Sequence, residues 1–457
     1  MLQSTSQKME KIVALCKRRG FIFQSSEIYG GLNGAWDYGP LGVELKRNVK
    51  EAWWHSTVHL RDDVVGLDGA ILMNRKVWQA SGHEETFTDP MVDCKTCQGR
   101  FRADQVNETI CPQKPSKKVA QCEGEKTEAR NFNLMFKTHA GAIDSDENLI
   151  YLRPETAQAI FVQFRNVLDT SRKKLPFGIA QIGKAFRNEI NPRNFTFRSR
   201  EFEQMELEFF VKPDTGFEWT DYWLEERLKW YENIGIPRAK IHIYDVPAEK
   251  LAHYSKKTYD LEYEFPFGVQ ELEGVAYRTD YDLKQHMEKS GKPLDYFDDE
   301  VKTDAPHKYI PHVVEPSAGV DRTVLALLCE AYEEEEITDE KGNKETRVVL
   351  RFAPHMAPIK VGIFPLLKNK PELVAKAQEV TKLLKQDMTV FYDETGAIGR
   401  RYRRQDEIGT PFGITIDFET IEKNPSTVTV RQRDSMKQIR LPIDELLPYL
   451  NSALKSG

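Results

Sequence analysis

Between Phe177 and Val211 the chain reads FGIAQIGKAFRNEINPRNFTFRSREFEQMELEFFV. The pattern predicts two β-strands, one through QIGKAFRNEI and one through REFEQMELEFF, joined by a long loop carrying Arg193, Arg198 and Arg200. Side chains alternate faces along a strand, so residues two apart lie together. Arg187 and Glu189 then share a face, and on the return strand Phe202, Gln204, Glu206 and Glu208 share one, opposite Met205, Leu207 and Phe209. One face of that strand is core. The other carries a ring, an amide and carboxylates, which an ordinary exposed sheet edge gives no reason for. A strand with one apolar face and one such polar face is half core and half site.

These residues carry a resemblance to motif 2 of the class II aminoacyl-tRNA synthetases, Phe-Arg-x-Glu, a variable loop, then Arg-x-x-x-Phe-x-x-x-Glu. Here they are Phe186, Arg187 and Glu189, then Arg198, Phe202 and Glu206. The resemblance implies that Arg187 binds the α-phosphate of ATP and the amino-acid carboxylate, that Glu189 accepts from the adenine amino group, and that Phe202 stacks on adenine. Displacement at the α-phosphate builds negative charge on its oxygens, and a fixed guanidinium stabilises it. Asn188, Phe197, Arg198 and Leu272 join the implied ATP site, and Gln204 the amino-acid site.

Two more segments match the same class. VVEPSAGVDRTVLALLCEAYEE, from Val313, predicts a short apolar strand, then Gly319, then a helix. It resembles motif 3, where helix-head amides favour anions and Arg322 would pair with the γ-phosphate and lie against adenine. YLRPETAQAIFVQF predicts a helix with Pro154 at its first position and Glu155 in its first turn. HIGH and KMSKS, the marks of class I synthetases, are absent from the sequence.

The stretch SSEIYGGLNGAWDYGPLGVELKRNVKEAWW resembles the start of the single-chain glycyl type of class II synthetase. Its glycines read as turn material, and a helix from Gly42 to Trp54 is expected. In that family this region is motif 1 and the dimer interface. The resemblance gathers Glu155, Glu206 and Glu315 around a substrate ammonium, with Ser317 beside them and Phe202, Gln204, Arg278 and Arg102 completing the glycine site. Carboxylates hold an ammonium, and carboxylates crowded over Cα leave no room for a methyl, so overlap rejects larger amino acids without an editing site. Glu271 matches the position that holds Mg²⁺ between ATP phosphates, as one or two carboxylates suffice for that ion; its neighbour Glu273 is not separable from it by sequence pattern.

Cys94 and Cys97 have zinc-knuckle spacing. Lys114 stands where a fourth cysteine would follow Cys111, and Cys122 comes later. The set either closes a four-thiolate zinc site with an enlarged loop or is the remnant of one.

The chain has 457 residues, 30% charged and 40% hydrophobic, with a formal net charge of −6 and six cysteines. These values fit a globular protein of reducing surroundings rather than a disulfide scaffold or a bulk nucleic-acid binder. No apolar run suggests a signal peptide or membrane span, so a cytoplasmic setting is expected. The expected fold is α/β (α+β): an antiparallel class II catalytic core over 1–350, with insertions at about 92–145 and 213–308, then an α/β anticodon-binding domain over 357–457. Trp219 to Asn233 predicts a helix, EEEEITDEKGNKETR a solvated charged loop, and RFAPHMAP a linker. Arg400, Arg401, Arg403 and Arg404 would form a basic face beside Tyr402, suited to splayed RNA bases. The implied activity joins glycine to AMP from ATP, releases pyrophosphate, and passes glycine to tRNA(Gly), with a homodimer as the working form. A relative retired to tRNA binding would lack Arg187 or Arg322; a sibling enzyme for serine, proline or threonine would not crowd three acids into its pocket.

Overall fold

A computed structural model describes residues 2–300, 307–338, 342, 344–422 and 426–455. Helix α1 (Leu2–Arg19) buries Ile12, Leu15 and Cys16. Helix α2 (Pro40–Trp54) opens on a proline, whose fixed φ suits the first turn, and buries Leu45, Val49 and Trp53. It lies so close to the preceding chain that a Cβ at Gly42 would stand 1.8 Å from the Phe21 carbonyl oxygen. Glycine is required there by space, not by turn geometry.

The central sheet is built from β1 (Val64–Gly66), β2 (Phe177–Phe186), β3 (Glu201–Val211), β4 (Ile241–Asp245), β5 (Lys257–Phe265), β6 (Gly268–Thr279) and β7 (His312–Gly319). Their order is β4-β5-β6-β7-β3-β2-β1, antiparallel except for the β1–β2 pair. Helices α3 (Ala157–Ser171), α4 (Gly216–Asn233), α5 (Tyr281–Ser290) and α6 (Val320–Ala331) complete the layers. The alternation read in β3 decides the architecture. Met205, Leu207, Phe209 and Val211 enter one core with Trp223 and Leu228 of α4 and Val324 and Leu328 of α6. Across the sheet, Phe177, Ile179 and Phe210 pack on Phe161 and Phe164 of α3 and Leu283 of α5. Each such fully buried side chain contributes roughly 1.5–3 kcal/mol of burial energy. The rest of that second face carries Gln204, Glu206 and Glu208 and is left for chemistry.

Four expectations change. The span 213–308 is not an addition to the sheet, since it supplies β4, β5, β6 and two helices; strands remote in sequence join one ladder. Pro154 is not a helix start, because α3 begins at Ala157 after Thr156. The charged run after α6 is a hairpin, β8 (Tyr332–Thr338) and β9 (Lys344–Leu350), rather than a loop. Arg347 and Arg351 both reach Glu335, and Arg351 also reaches Glu333, so opposite charges facing each other across the pair offset the polarity of the strands. Residues 339–341 and 343 of that run lie outside the described residues. The 351–358 segment, expected as a linker, buries Phe352, Met356 and Ala357 in the first core.

A separate core follows, on a five-stranded sheet of β10 (Val361–Pro365), β11 (Val390–Tyr392), β12 (Phe412–Ile416), β13 (Thr427–Gln432) and β14 (Gln438–Pro442), in the order β11-β10-β12-β13-β14. Helices α7 (Pro371–Leu384), α8 (Ile398–Ile408) and α9 (Leu446–Lys455) flank it. The expected basic face on α8 is corrected. Arg401 is buried and donates to the carbonyls of Gly396 and Pro365, Arg404 pairs with Asp393, and Arg403 lies 3.4 Å from Asp406. Tyr402 packs edge-on to Phe364 and bonds Thr415. Arg400 stays exposed. The acids that neutralise this run come from outside it or a turn later, so the run itself gives no sign of them.

Candidate active site

Two cavities open on the polar face of the central sheet. The first, of about 170 Å³, is walled by Glu189, Phe197, Arg198, Phe202 and Arg322, with Leu272 and Gly319 behind them. The second, of about 300 Å³, is walled by Glu155, Glu206, Arg278 and Glu315. Arg187, Gln204, Glu271 and Ser317 border both.

In the first cavity, β2 ends at Phe186, so Arg187 and Glu189 do not share a strand face as expected. The chain turns there instead: the Glu189 N–H donates to the Arg187 carbonyl (2.7 Å) and the Arg187 N–H to the Arg200 carbonyl (2.9 Å). The Arg187 guanidinium donates to the Pro154 carbonyl at 3.1 Å and lies 5.3 Å from the Phe202 ring centre. Glu189 accepts from Arg198 at 3.3 Å, and its carbonyl accepts from Arg200. Arg322, in the first turn of α6, stands 4.5 Å over the Phe197 ring and donates to the carbonyls of Phe197 and Glu271. A flat cation and flat rings thus border one slot. Asn188 lies off the wall, its N–H given to the Leu134 carbonyl.

Glu271 and Glu273 are separated by a bulge. Glu262 pairs with Glu271 while Leu261 pairs with Glu273, leaving Leu272 extra. The extra residue reverses the alternation. Glu271 consequently faces the cavity, 3.4 Å from Arg322, and Glu273 is buried against Arg227 of α4 at 2.7 Å. Asp260 of β5 also lines the second cavity, and burial followed by the Glu271 charge pushes its carboxyl up to about 6. Nothing in its local pattern distinguished it.

The second cavity is a buried acid cluster. Glu206 accepts from Gln204 (3.0 Å), Ser317 (2.8 Å) and Thr156. Glu155 accepts from Gln158 at 2.9 Å and lies 3.4 Å from His83. Arg278 grips Asp282 with two donors, both at 2.9 Å, and Glu315 with a third at 2.8 Å. Three of its five N–H groups are thus held by protein acids, while the guanidinium still lines the cavity. Burial would raise the Glu155 carboxyl, but His83 and Arg278 outweigh it and hold it below the ordinary range. Glu206 is raised by burial and by the Glu155 charge. Glu315 is pushed up to about 7, with burial ahead of the opposing Arg278 charge and the Glu206 and Glu155 charges adding. Thr156, Gln158 and His83 were not foreseen as site residues, and Asp282 stood out as an acid without an assigned role; Thr156 and Gln158 are signalled only by adjacency to Glu155, Asp282 by its place four residues after Arg278, and His83 meets the site through folding.

Arg102 does not reach either wall. It lies on the Arg100–Arg102 strand of a small sheet and pairs with Asp89 (2.7 Å) and Asp104 (2.8 Å). Cys94, Cys97 and Cys122 border a pocket beside Gly124, and the Cys111 and Cys122 sulfurs are 3.7 Å apart. That separation is close to the edge of a zinc tetrahedron with bonds of about 2.3 Å. Among the described residues, however, no group of three or more His, Cys, Asp or Glu side chains is arranged to hold a metal ion. The thiols do not fit a closed site, and no chemistry is routed through one. Among the described residues no helix is long and apolar enough to cross a membrane.

Comparison with known proteins follows the same division. Residues 136–332 match the class II tRNA synthetase core domain (G, H, P, S and T), and residues 360–453 match the anticodon binding domain. The chain is 54% identical over 449 residues to the glycine–tRNA ligase of Treponema denticola, covering 98% of this chain and 97% of that one. It is 50% identical over 466 residues to that of Thermobifida fusca, covering 99% of both, and 52% identical over 450 residues to that of Borreliella burgdorferi, covering 98% of both.

Proposed function

The chain belongs to the glycine–tRNA ligases of class II, and from that premise we propose how its two cavities divide the reaction. The enzyme activates glycine with ATP to glycyl-adenylate and transfers glycine to the 3′ end of tRNA(Gly). ATP takes the first cavity. Adenine lies against Phe202, with Arg322 on the other side and Glu189 accepting from its amino group. Arg187, at the junction, holds the α-phosphate and the glycine carboxylate together, which fixes the attacking oxygen near phosphorus. Arg322 stabilises the phosphates as pyrophosphate leaves. Glu271, turned to the cavity by the bulge, is the carboxylate that would hold a magnesium ion brought with ATP, which would offset the charge of the phosphates. No side chain acts as nucleophile; the glycine carboxylate attacks.

Glycine takes the second cavity. Glu155, Glu206 and Glu315 surround its ammonium, and their closeness to Cα excludes a methyl. The observation that carries the reading is that Arg187 borders both cavities, with a ring-and-arginine slot on one side and a carboxylate cluster on the other. Two copies pair through the Gly39–Trp54 region, as the family likeness supports; light scattering after size exclusion should give twice the chain mass, and a single-chain mass at micromolar concentration would refute it. ATP–pyrophosphate exchange tests the substrate. Glycine should stimulate exchange, and alanine and serine should not. Failure of glycine with folded protein and magnesium present would overturn the assignment.

A further inference from the structure

Glu208 lies on β3, two residues beyond Glu206 on the same face, and is completely buried. Among the described residues, neither of its carboxyl oxygens has a hydrogen-bond partner. An ionised carboxylate in such a place costs several kcal/mol, so the group is held as the neutral acid. On the neighbouring strand, the register is the same on both sides of the gap between Glu206–Ser317 and Phe209–Val314, and it sets Glu315 opposite Glu208. Pro316, which has no N–H, lies within that gap.

Around Glu315 the charges do not balance. Glu206 and Glu208 face it from β3, Arg278 from β6 with Asp282 of α5 behind it, Glu155 from residues 153–156 before α3 with His83 against it, and the Tyr254 phenol from the loop before β5; Arg187 and Lys250 border the same cavity. Arg278 is the one cation in direct contact with Glu315 among the described residues, and Asp282 takes two of its donors. Glu206 has three neutral donors, whereas Glu315 has the single Arg278 contact. A buried cluster whose acids outnumber its cations keeps protons until a further cation arrives.

We propose that glycine enters this pocket in exchange for a proton: its ammonium displaces the proton carried by Glu315, which leaves to solvent, while Glu208, sealed beneath, keeps its own. Glu208 is then a positioning residue that fills the space under Glu315 without adding charge. This rests on the amino-acid reading of the second cavity.

The sign follows from linkage. With protein groups alone around it, Glu315 is held at about 7. An ammonium favours the ionised form and lowers that value, so glycine binding strengthens as pH rises through about 7 and releases a proton below it. Isothermal titration of the whole chain with glycine, in phosphate and in imidazole, measures the release. About 0.9 proton per glycine is expected near pH 6 and about 0.1 near pH 8, with affinity about tenfold weaker at the lower pH. Saturable binding with equal enthalpy in both buffers near pH 6 would overturn the exchange and leave the glycine reading standing. No saturable heat from folded protein would sink the glycine reading and the exchange with it. Glu315→Gln should bind more weakly and without proton release. Glu208→Gln should keep the release; its loss there would give the proton to Glu208 and overturn the assignment. Should either variant fail to fold, the wild-type titration still decides.

Discussion

Arg187 borders both cavities, and its guanidinium is anchored by the Pro154 carbonyl between Phe87 and Phe202. Its position makes it the residue whose loss separates folding from chemistry. Arg187→Ala should lower glycine-dependent exchange by at least about a hundredfold, the scale of losing one transition-state donor, while thermal unfolding moves little. Near-normal exchange would remove Arg187 from its role. Thr156 is a quieter case. It is fully buried and donates to Glu206, so Thr156→Val leaves that acid short of a donor. The KM for glycine should rise about tenfold, corresponding to a net hydrogen bond of about 1–1.5 kcal/mol, with the KM for ATP unmoved. An equal rise in both would show a general distortion instead.

At the scale of elements, the strap 153–156 is held to β2 by one buried side chain. Arg153 donates to the carbonyls of Lys184 and Gly69, and the Phe186 N–H returns a bond to the Arg153 carbonyl. The approach is tight enough that a Cβ at Gly183 would stand 2.2 Å from the Arg153 guanidinium and 3.3 Å from the Thr156 methyl. Gly183→Ala should therefore push the strap outward and cost about 1–3 kcal/mol of stability, with the glycine KM raised. Denaturant unfolding and exchange kinetics read both, and an unchanged midpoint would show that the strap relaxes freely. The cysteine segment belongs to this scale too. Since its thiols are not arranged as a closed site, elemental analysis of the purified chain should find less than about a tenth of a zinc per chain; stoichiometric zinc would mean that the metal draws the set together.

Across the whole molecule, the two cores are joined by charge. Arg347 of the β8–β9 hairpin is fully buried and binds Asp406 of α8 and the Arg433 carbonyl, while Arg431 of β13 grips the same aspartate with two donors. Arg18 and Arg19 of α1 both pair with Glu407, one residue along α8. Removing one partner of a buried set leaves an uncompensated charge, so Arg347→Ala should cost about 3–5 kcal/mol. The loss should fall on tRNA charging more than on exchange, because exchange needs the central sheet alone. Equal losses in the two assays would show that the junction supports the catalytic core itself.

How much of this was readable before folding follows from the range of each interaction. Period two along REFEQMELEFF was enough to place Gln204, Glu206 and Glu208 on one face and Met205, Leu207 and Phe209 in the core, because alternation is a local property of the strand. Motif order supplied Arg187, Glu315, Ser317 and Arg322, which line the cavities. The same local reasoning failed where the chain leaves regular geometry. Arg187 and Glu189 sit past the end of β2, and the bulge at Leu272 decides between Glu271 and Glu273. It failed again where pairing depends on how neighbouring elements pack. Asp393, Asp406 and Pro365 occupy the arginines of α8, and Asp89 occupies Arg102. The sequence by itself determined the class of chemistry and the faces of the strands that carry it. Tertiary structure alone decided which charges are free to meet a substrate, because burial and ion pairing depend on groups that only the fold brings together.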